Sequence, residues 1–170
     1  MRLTGLERGI SDFPPSDQFE YYQFHPDEET VVRAALASVD PFDPPFTAYG
    51  LLPVYVLRTA LSMQGLAAAD LGVVDERRRV FLTARLIAAL LAIAALGMTW
   101  ALALELAPAR ADLGRWAGIL ALAFVAFAPG AIQQAHFFIV DGFFTAISLV
   151  GLWAILRAVS TGERCWYVLA

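Results

Sequence analysis

This sequence is poor in charge. Only 16% of its 170 residues are charged, while 59% are apolar; a soluble domain has about 25% and about 45–50% respectively. An ordinary soluble globular domain is thereby excluded, and the mean hydropathy of +0.61 agrees. Lysine is absent: all 12 basic residues are Arg, and the formal net charge is −4. That removes the basic footprint on which nucleic-acid binding depends. The one cysteine, Cys165, allows no internal disulfide and no Cys/His metal cluster. Residues 1–30 are polar and lack the apolar core of a signal peptide. Disorder is excluded by the high apolar content.

What is present divides into a polar half and an apolar half. Residues 1–80 hold 12 of the 16 acids. Residues 81–170 hold Glu105, Asp112, Asp141 and Glu163. Leu86 to Leu104 is an uncharged run of 19 residues, bracketed by Arg85 and Glu105. As a helix it reaches about 28 Å, close to the roughly 30 Å hydrocarbon thickness of a bilayer. Trp116 to Val140 is a second run, in which Pro129-Gly130 predicts a kink or a helix end. Gly142 to Leu156 is a third, ended by Arg157 and STGER. The expected spans are about 82–106, 115–138 and 142–160.

Tyr49 to Leu61 is ambiguous. Broken by Pro53 and Arg58, it either spans the bilayer with residues up to Ala69 or lies in the interface as an amphipathic helix. Arg110, Arg115, Arg157 and Arg164 fall on one side of three spans, and Arg77, Arg78 and Arg79 on the other. The count weakly favours the first side as cytoplasmic. The Arg77–Arg79 run reads as a solvated or headgroup-facing patch, with anionic lipid as a second reading. His136 reads as a polar interface residue and Cys165 as incidental.

The segment Phe24-His25-Pro26-Asp27-Glu28-Glu29-Thr30 opens a helix that continues through VVRAALASV. Two readings stand. Asp27 caps the helix while Glu28 and Glu29 complement its dipole, or Asp27 is a general base at a helix start. Asp141 is likewise either the N-cap of the third span or a functional acid near the membrane. Arg85 is either a snorkelling flank or an anion ligand.

RLTGLERGI followed by YYQFHPDEETVVRAAL resembles the first extracytoplasmic loop of GT-C class, lipid-carrier-dependent glycosyltransferases. These are the protein O-mannosyltransferase-like and aminoarabinose-transferase-like enzymes, of the dolichyl-phosphate-mannose type. Pro41-Phe42 with YGLLPVYVL resembles the family's juxtamembrane helix, TARLIAALL the Arg that begins the next span, and AHFFIVDGFF a later segment bearing an acid. The resemblance covers most of residues 2–160.

The resemblance implies an all-α integral membrane protein with a partial GT-C fold. Residues 1–80 would form an extracytoplasmic loop with the Asp-Glu motif and juxtamembrane helices, and residues 81–170 about three transmembrane helices. It implies Asp27 as the catalytic carboxylate, Glu28 as its neighbour, Asp141 as a second site carboxylate and Arg85 as the ligand of the lipid phosphate. Some members use a divalent metal; here Asp27 and Asp141 would hold it. The donor would be a polyprenyl-phosphate-linked sugar, and the site would face outward from the cell's inner membrane. Some members carry an acid-Lys-Pro triplet before the juxtamembrane helix. Here either Asp43-Pro44-Pro45 or the Pro53–Tyr55 stretch stands there, without Lys. The family has a span before the RLTGLERGI-like sequence and more after the third, so an N-terminal fragment is expected. The competing expectation is a non-catalytic polytopic membrane protein, a transporter or assembly subunit, in which 49–69 forms a fourth span.

Overall fold

The computed structural model describes residues 6–7, 25–37, 48, 50–67, 71–106 and 111–170. Among them every element is helical: α1 (Pro26–Ala37), α2 (Leu52–Ser62), α3 (Val74–Leu106), α4 (Ala111–Phe127), α5 (Pro129–Gln134), α6 (Val140–Thr161) and α7 (Arg164–Leu169). Pro41-Phe42, Asp43-Pro44-Pro45, Tyr49, Arg110 and the RLTGLERGI stretch apart from Leu6 and Glu7 lie outside the described residues. The chain forms two compact units. One comprises residues 1–89 and 135–140, the other residues 90–134 and 141–170.

In the first unit, α1 starts as its sequence dictates. Pro26 is its first residue, where a missing N–H costs nothing, and Asp27, Glu28 and Glu29 fill the first turn. Thr30 Oγ1 donates back to the Pro26 carbonyl at 3.1 Å, and Arg33 Nε donates to Glu29 Oε1 at 2.7 Å one turn on. Val31, Val32, Ala34 and Ala35 are buried, as are Val54, Leu57 and Leu61 on α2. Helices α1 and α2 pack together. The α3 contribution to this core is Val80, Phe81, Ala84, Ala88 and Ala89; Ala135, Phe138 and Ile139 complete it.

Helix α2 is too short to be a membrane span over 49–69. Eleven residues rise only about 16 Å, half a bilayer core. The stop is chemical: Gly65 takes φ +71°, Gly65 N–H donates to Ser62 O at 3.1 Å and Leu66 N–H to Leu61 O at 3.1 Å. This glycine-terminated cap satisfies the last carbonyls. Gln64 Nε2 donates to Thr83 Oγ1 at 3.0 Å, tying the cap to α3.

Among the described residues two helices are long and apolar enough to cross a membrane, α3 and α6, with 33 and 22 residues; α3 runs from the first unit into the second at residue 90. The second expected span, 115–138, is not one helix. Helix α4 stops at Phe127, and α5 restarts at Pro129 for six residues. Proline lacks the N–H that would continue the ladder and disfavours helix in the residue before it, so the break expected at Pro129-Gly130 is where the chain turns. Helix α3 begins at Val74, eight residues before the expected boundary. Its polar opening DERRR puts Asp75 and Glu76 on the positive end of the dipole and continues with Arg, a good helix former.

Leu90, Ile93, Leu120, Phe124, Phe127, Phe144, Ile147 and Val159 are exposed. Several polar side chains of the second unit find local partners. Thr99 Oγ1 donates to Ala95 O at 2.9 Å. Glu105 accepts from Ser160 Oγ at 2.9 Å and pairs with Arg157 at 3.4 Å. Arg157 also lies over the Trp166 ring at 5.4 Å, and Trp153 meets that ring edge-on at 4.9 Å.

Gly118 is where α4 meets α3. A Cβ there would stand 2.9 Å from Trp100 Cε3 and 3.2 Å from Cζ3. Gly118→Ala is therefore expected to destabilise by about 1–3 kcal/mol, the usual cost of overpacking. Adding Trp100→Leu should recover most of it. Denaturant titration of the wild type and the two variants checks this; an unchanged Gly118→Ala midpoint would show that the indole moves aside freely.

Candidate functional site

Four separate stretches of chain meet around the start of α1. Glu28 is 0% exposed and Arg85, on α3, is 1% exposed. Arg85 Nε donates to Glu28 Oε1 at 2.9 Å and Arg85 Nη2 to Glu28 Oε2 at 2.7 Å. This is the two-pronged match of a planar guanidinium to a carboxylate. Arg85 Nη1 donates to the Leu6 carbonyl at 2.6 Å, and the Phe138 N–H donates to Glu28 Oε1 at 3.0 Å. Two buried charges are thus held in a bidentate pair with a further hydrogen bond to each, which is what burial of an ion pair requires. The Arg85 guanidinium also covers the Phe137 ring, 5.5 Å from its centroid.

Asp27 is the next residue along and points elsewhere. Its side chain is 44% exposed. His25 Nδ1 lies 3.9 Å from Asp27 Oδ2, and the imidazole is 26% exposed. The imidazole packs against Phe137, centroid to centroid 5.6 Å at 39°. Phe137 therefore has contacts from both His25 and Arg85.

These placements separate the four residues singled out from the sequence. Glu28 and Arg85 come together as a buried pair, with Asp27 beside them at the surface of the same unit. A phosphate reaching Arg85 would have to displace Glu28 or the Leu6 carbonyl. Asp141 belongs to the second unit, in the first turn of α6, where it is exposed and Gln134 Nε2 donates to its Oδ2 at 3.5 Å. Among the described residues no three His, Cys, Asp or Glu side chains are grouped to hold a metal ion, so neither Asp27 nor Asp141 belongs to such a group there.

The Arg77–Arg79 run is not uniformly solvated. Arg78 and Arg79 are exposed and pair with Glu7 and Glu76, whereas Arg77 is fully buried. Cys165 is an exposed free thiol whose Sγ donates to Glu163 Oε2 at 3.7 Å. That contact brings a negative charge, the opposite of what activates a thiol.

The sequence reading assigns no role to Phe137, to the Phe138 N–H or to His25. One signal for the buried pair is present. Glu28 shares the i, i+3, i+4, i+7 stripe of α1 with Val31, Val32 and Ala35; Arg85 shares that of α3 with Phe81, Ala84 and Ala88. A charge on the apolar stripe of a helix calls for a partner, and Glu28 and Arg85 are each other's; Arg77, one turn before Phe81, is a second buried charge on the α3 stripe. Compared with protein-family models, with curated proteins and with solved structures, the chain matches none.

Proposed function

We propose that this chain is a membrane glycosyltransferase that moves a sugar from a polyprenyl-phosphate carrier to an acceptor hydroxyl at the extracytoplasmic face of the cell's inner membrane. The observation that carries the reading is the contrast between two neighbouring acids. Glu28 is fully buried and hydrogen-bonded, and Asp27 is left partly open at the helix start it fixes. A general base must be both rigidly placed and reachable, and this pair meets both conditions. The reaction class is taken from the resemblance of most of residues 2–160 to GT-C enzymes.

In the proposed step the acceptor oxygen attacks the anomeric carbon and the bond from that carbon to the carrier phosphate breaks. The bonding pair leaves with the phosphate, and the hydroxyl proton passes to the Asp27 carboxylate. Arg85, with its donors engaged by Glu28 and Leu6, supports this reading as the clasp that positions α1. The carrier's apolar tail would occupy lipid, for which the exposed Leu, Ile and Phe side chains of α3, α4 and α6 are suited. The test is transfer of a labelled sugar from a short-chain polyprenyl-phosphate donor by the chain in nanodiscs. Transfer that disappears in Asp27→Asn supports the reading, and equal transfer by that variant refutes it.

A non-catalytic polytopic protein with a fourth span at 49–69 is disfavoured by the 11-residue length of α2. With α2 in the interface, α3 and α6 would each cross, and the α4–α5 segment would have to cross as a broken helix to make three crossings. Asp27 precedes all of them and Asp141 follows two, so both acids would face one side. Cys165, after the third, would face the cytoplasm. In intact cells it should resist a membrane-impermeant maleimide and react after permeabilisation. Ready labelling from outside would overturn the three-crossing arrangement.

A further inference from the structure

We infer that His25 is the positioning residue for the Asp27 carboxylate, with the Phe137 ring as the shelf that sets the imidazole; this rests on the proposed role of Asp27 as the base. Three observations carry it. His25 Nδ1 is buried and has no hydrogen-bond partner among the described residues. The acceptor facing it is Asp27 Oδ2, 3.9 Å away, about an ångström beyond a hydrogen bond. And one face of the ring is held: Phe137 packs against it, and Phe137 is itself covered by the Arg85 guanidinium of the buried clasp.

A buried ring nitrogen without a partner is unfavourable, so the pair gains when Asp27 closes on it. Catalytic hydrogen bonds are commonly long in the unliganded protein and tighten only with substrate bound. In the closed arrangement the Nδ1–H donates to Asp27 Oδ2. The carboxylate is then fixed by its contact with the imidazole, and its other oxygen, Oδ1, is turned toward the acceptor hydroxyl. Pro26 between the two residues restricts the backbone that joins them, so the geometry is set by one short, stiff segment. His25 touches neither donor nor acceptor in this scheme; it acts through Asp27.

Two side-chain amides separate a positioning role from a packing role. The amide nitrogen of Asn can stand where Nδ1 stands, whereas that of Gln reaches toward the position of Nε2. The experiment measures transfer by the full chain in nanodiscs for His25→Asn, His25→Gln and His25→Ala, with kcat and the KM for a short-chain polyprenyl-phosphate sugar determined separately. His25→Ala and His25→Gln should lose about a hundredfold in kcat, the scale of an ångström misplacement, with little change in KM. His25→Asn should restore most of the activity. Unfolding midpoints are compared in parallel. Wild-type kcat in His25→Ala overturns the inference, and so does equal loss in all three variants with folding intact. If Asp27→Asn transfers sugar as well as wild type, the base reading fails and this inference fails with it. That outcome is distinct from an inactive Asp27→Asn beside a fully active His25→Ala, in which only the positioning role is lost.

Discussion

Asp27→Asn is expected to lower sugar transfer by about 10²–10⁴-fold, the usual worth of a general base, while moving stability by less than about 1 kcal/mol. The two halves of this expectation have separate causes. The chemical half follows because an amide keeps the size and most of the hydrogen bonding of the carboxylate but cannot take the acceptor's proton. The stability half follows because the Asp27 side chain is 44% exposed. What the helix start loses is mainly one charge at the favourable end of its dipole. Transfer assays and denaturant titration on one preparation check both at once. A variant that unfolds early would mean that Asp27 is chiefly a structural residue of α1.

Arg85→Met is expected to do the opposite: to destabilise the protein by about 3–5 kcal/mol, the cost of stranding one buried charge. Glu28 would be left 0% exposed with the Phe138 N–H as the one remaining hydrogen bond given above. Glu28→Leu should cost a comparable amount, because the guanidinium would be stranded instead. The double variant Glu28→Leu with Arg85→Met should recover most of the loss, since two apolar side chains need no partner. The coupling in this double-mutant cycle is then large and of compensating sign. Single-variant effects below about 1 kcal/mol would place the pair among exposed salt bridges. Activity should fall in both single variants as well, because the start of α1 is no longer fixed.

These two residues also show what was legible in the sequence. The apolar run at 86–104 reads as a helix of spanning length because no charge interrupts it. The break before Pro129 is legible because proline chemistry is local. The α2 stop at Gly65 and the α3 extension to Val74 are boundary matters, decided by a cap and by the dipole match and helix-forming Arg residues of DERRR. The division of labour between Asp27 and Glu28 is of another kind. They are adjacent acids on the same helix turn, and which one turns inward depends on Arg85, Leu6 and Phe138. Those partners lie 57 and 110 residues from Glu28, and Leu6 lies 79 residues from Arg85. No local pattern encodes such a meeting. The stripes containing Glu28 and Arg85 hint at it, but nothing in the sequence points to the peptide N–H of Phe138.

That N–H has a consequence during synthesis. The first unit is made of residues 1–89 together with 135–140, so it is not finished when its own first 89 residues have left the ribosome. More than forty further residues, including all of α4 and α5, must emerge before Phe138 can donate to Glu28. Until then any Glu28–Arg85 pair lacks that hydrogen bond, and a polypeptide terminated before residue 138 would never acquire it.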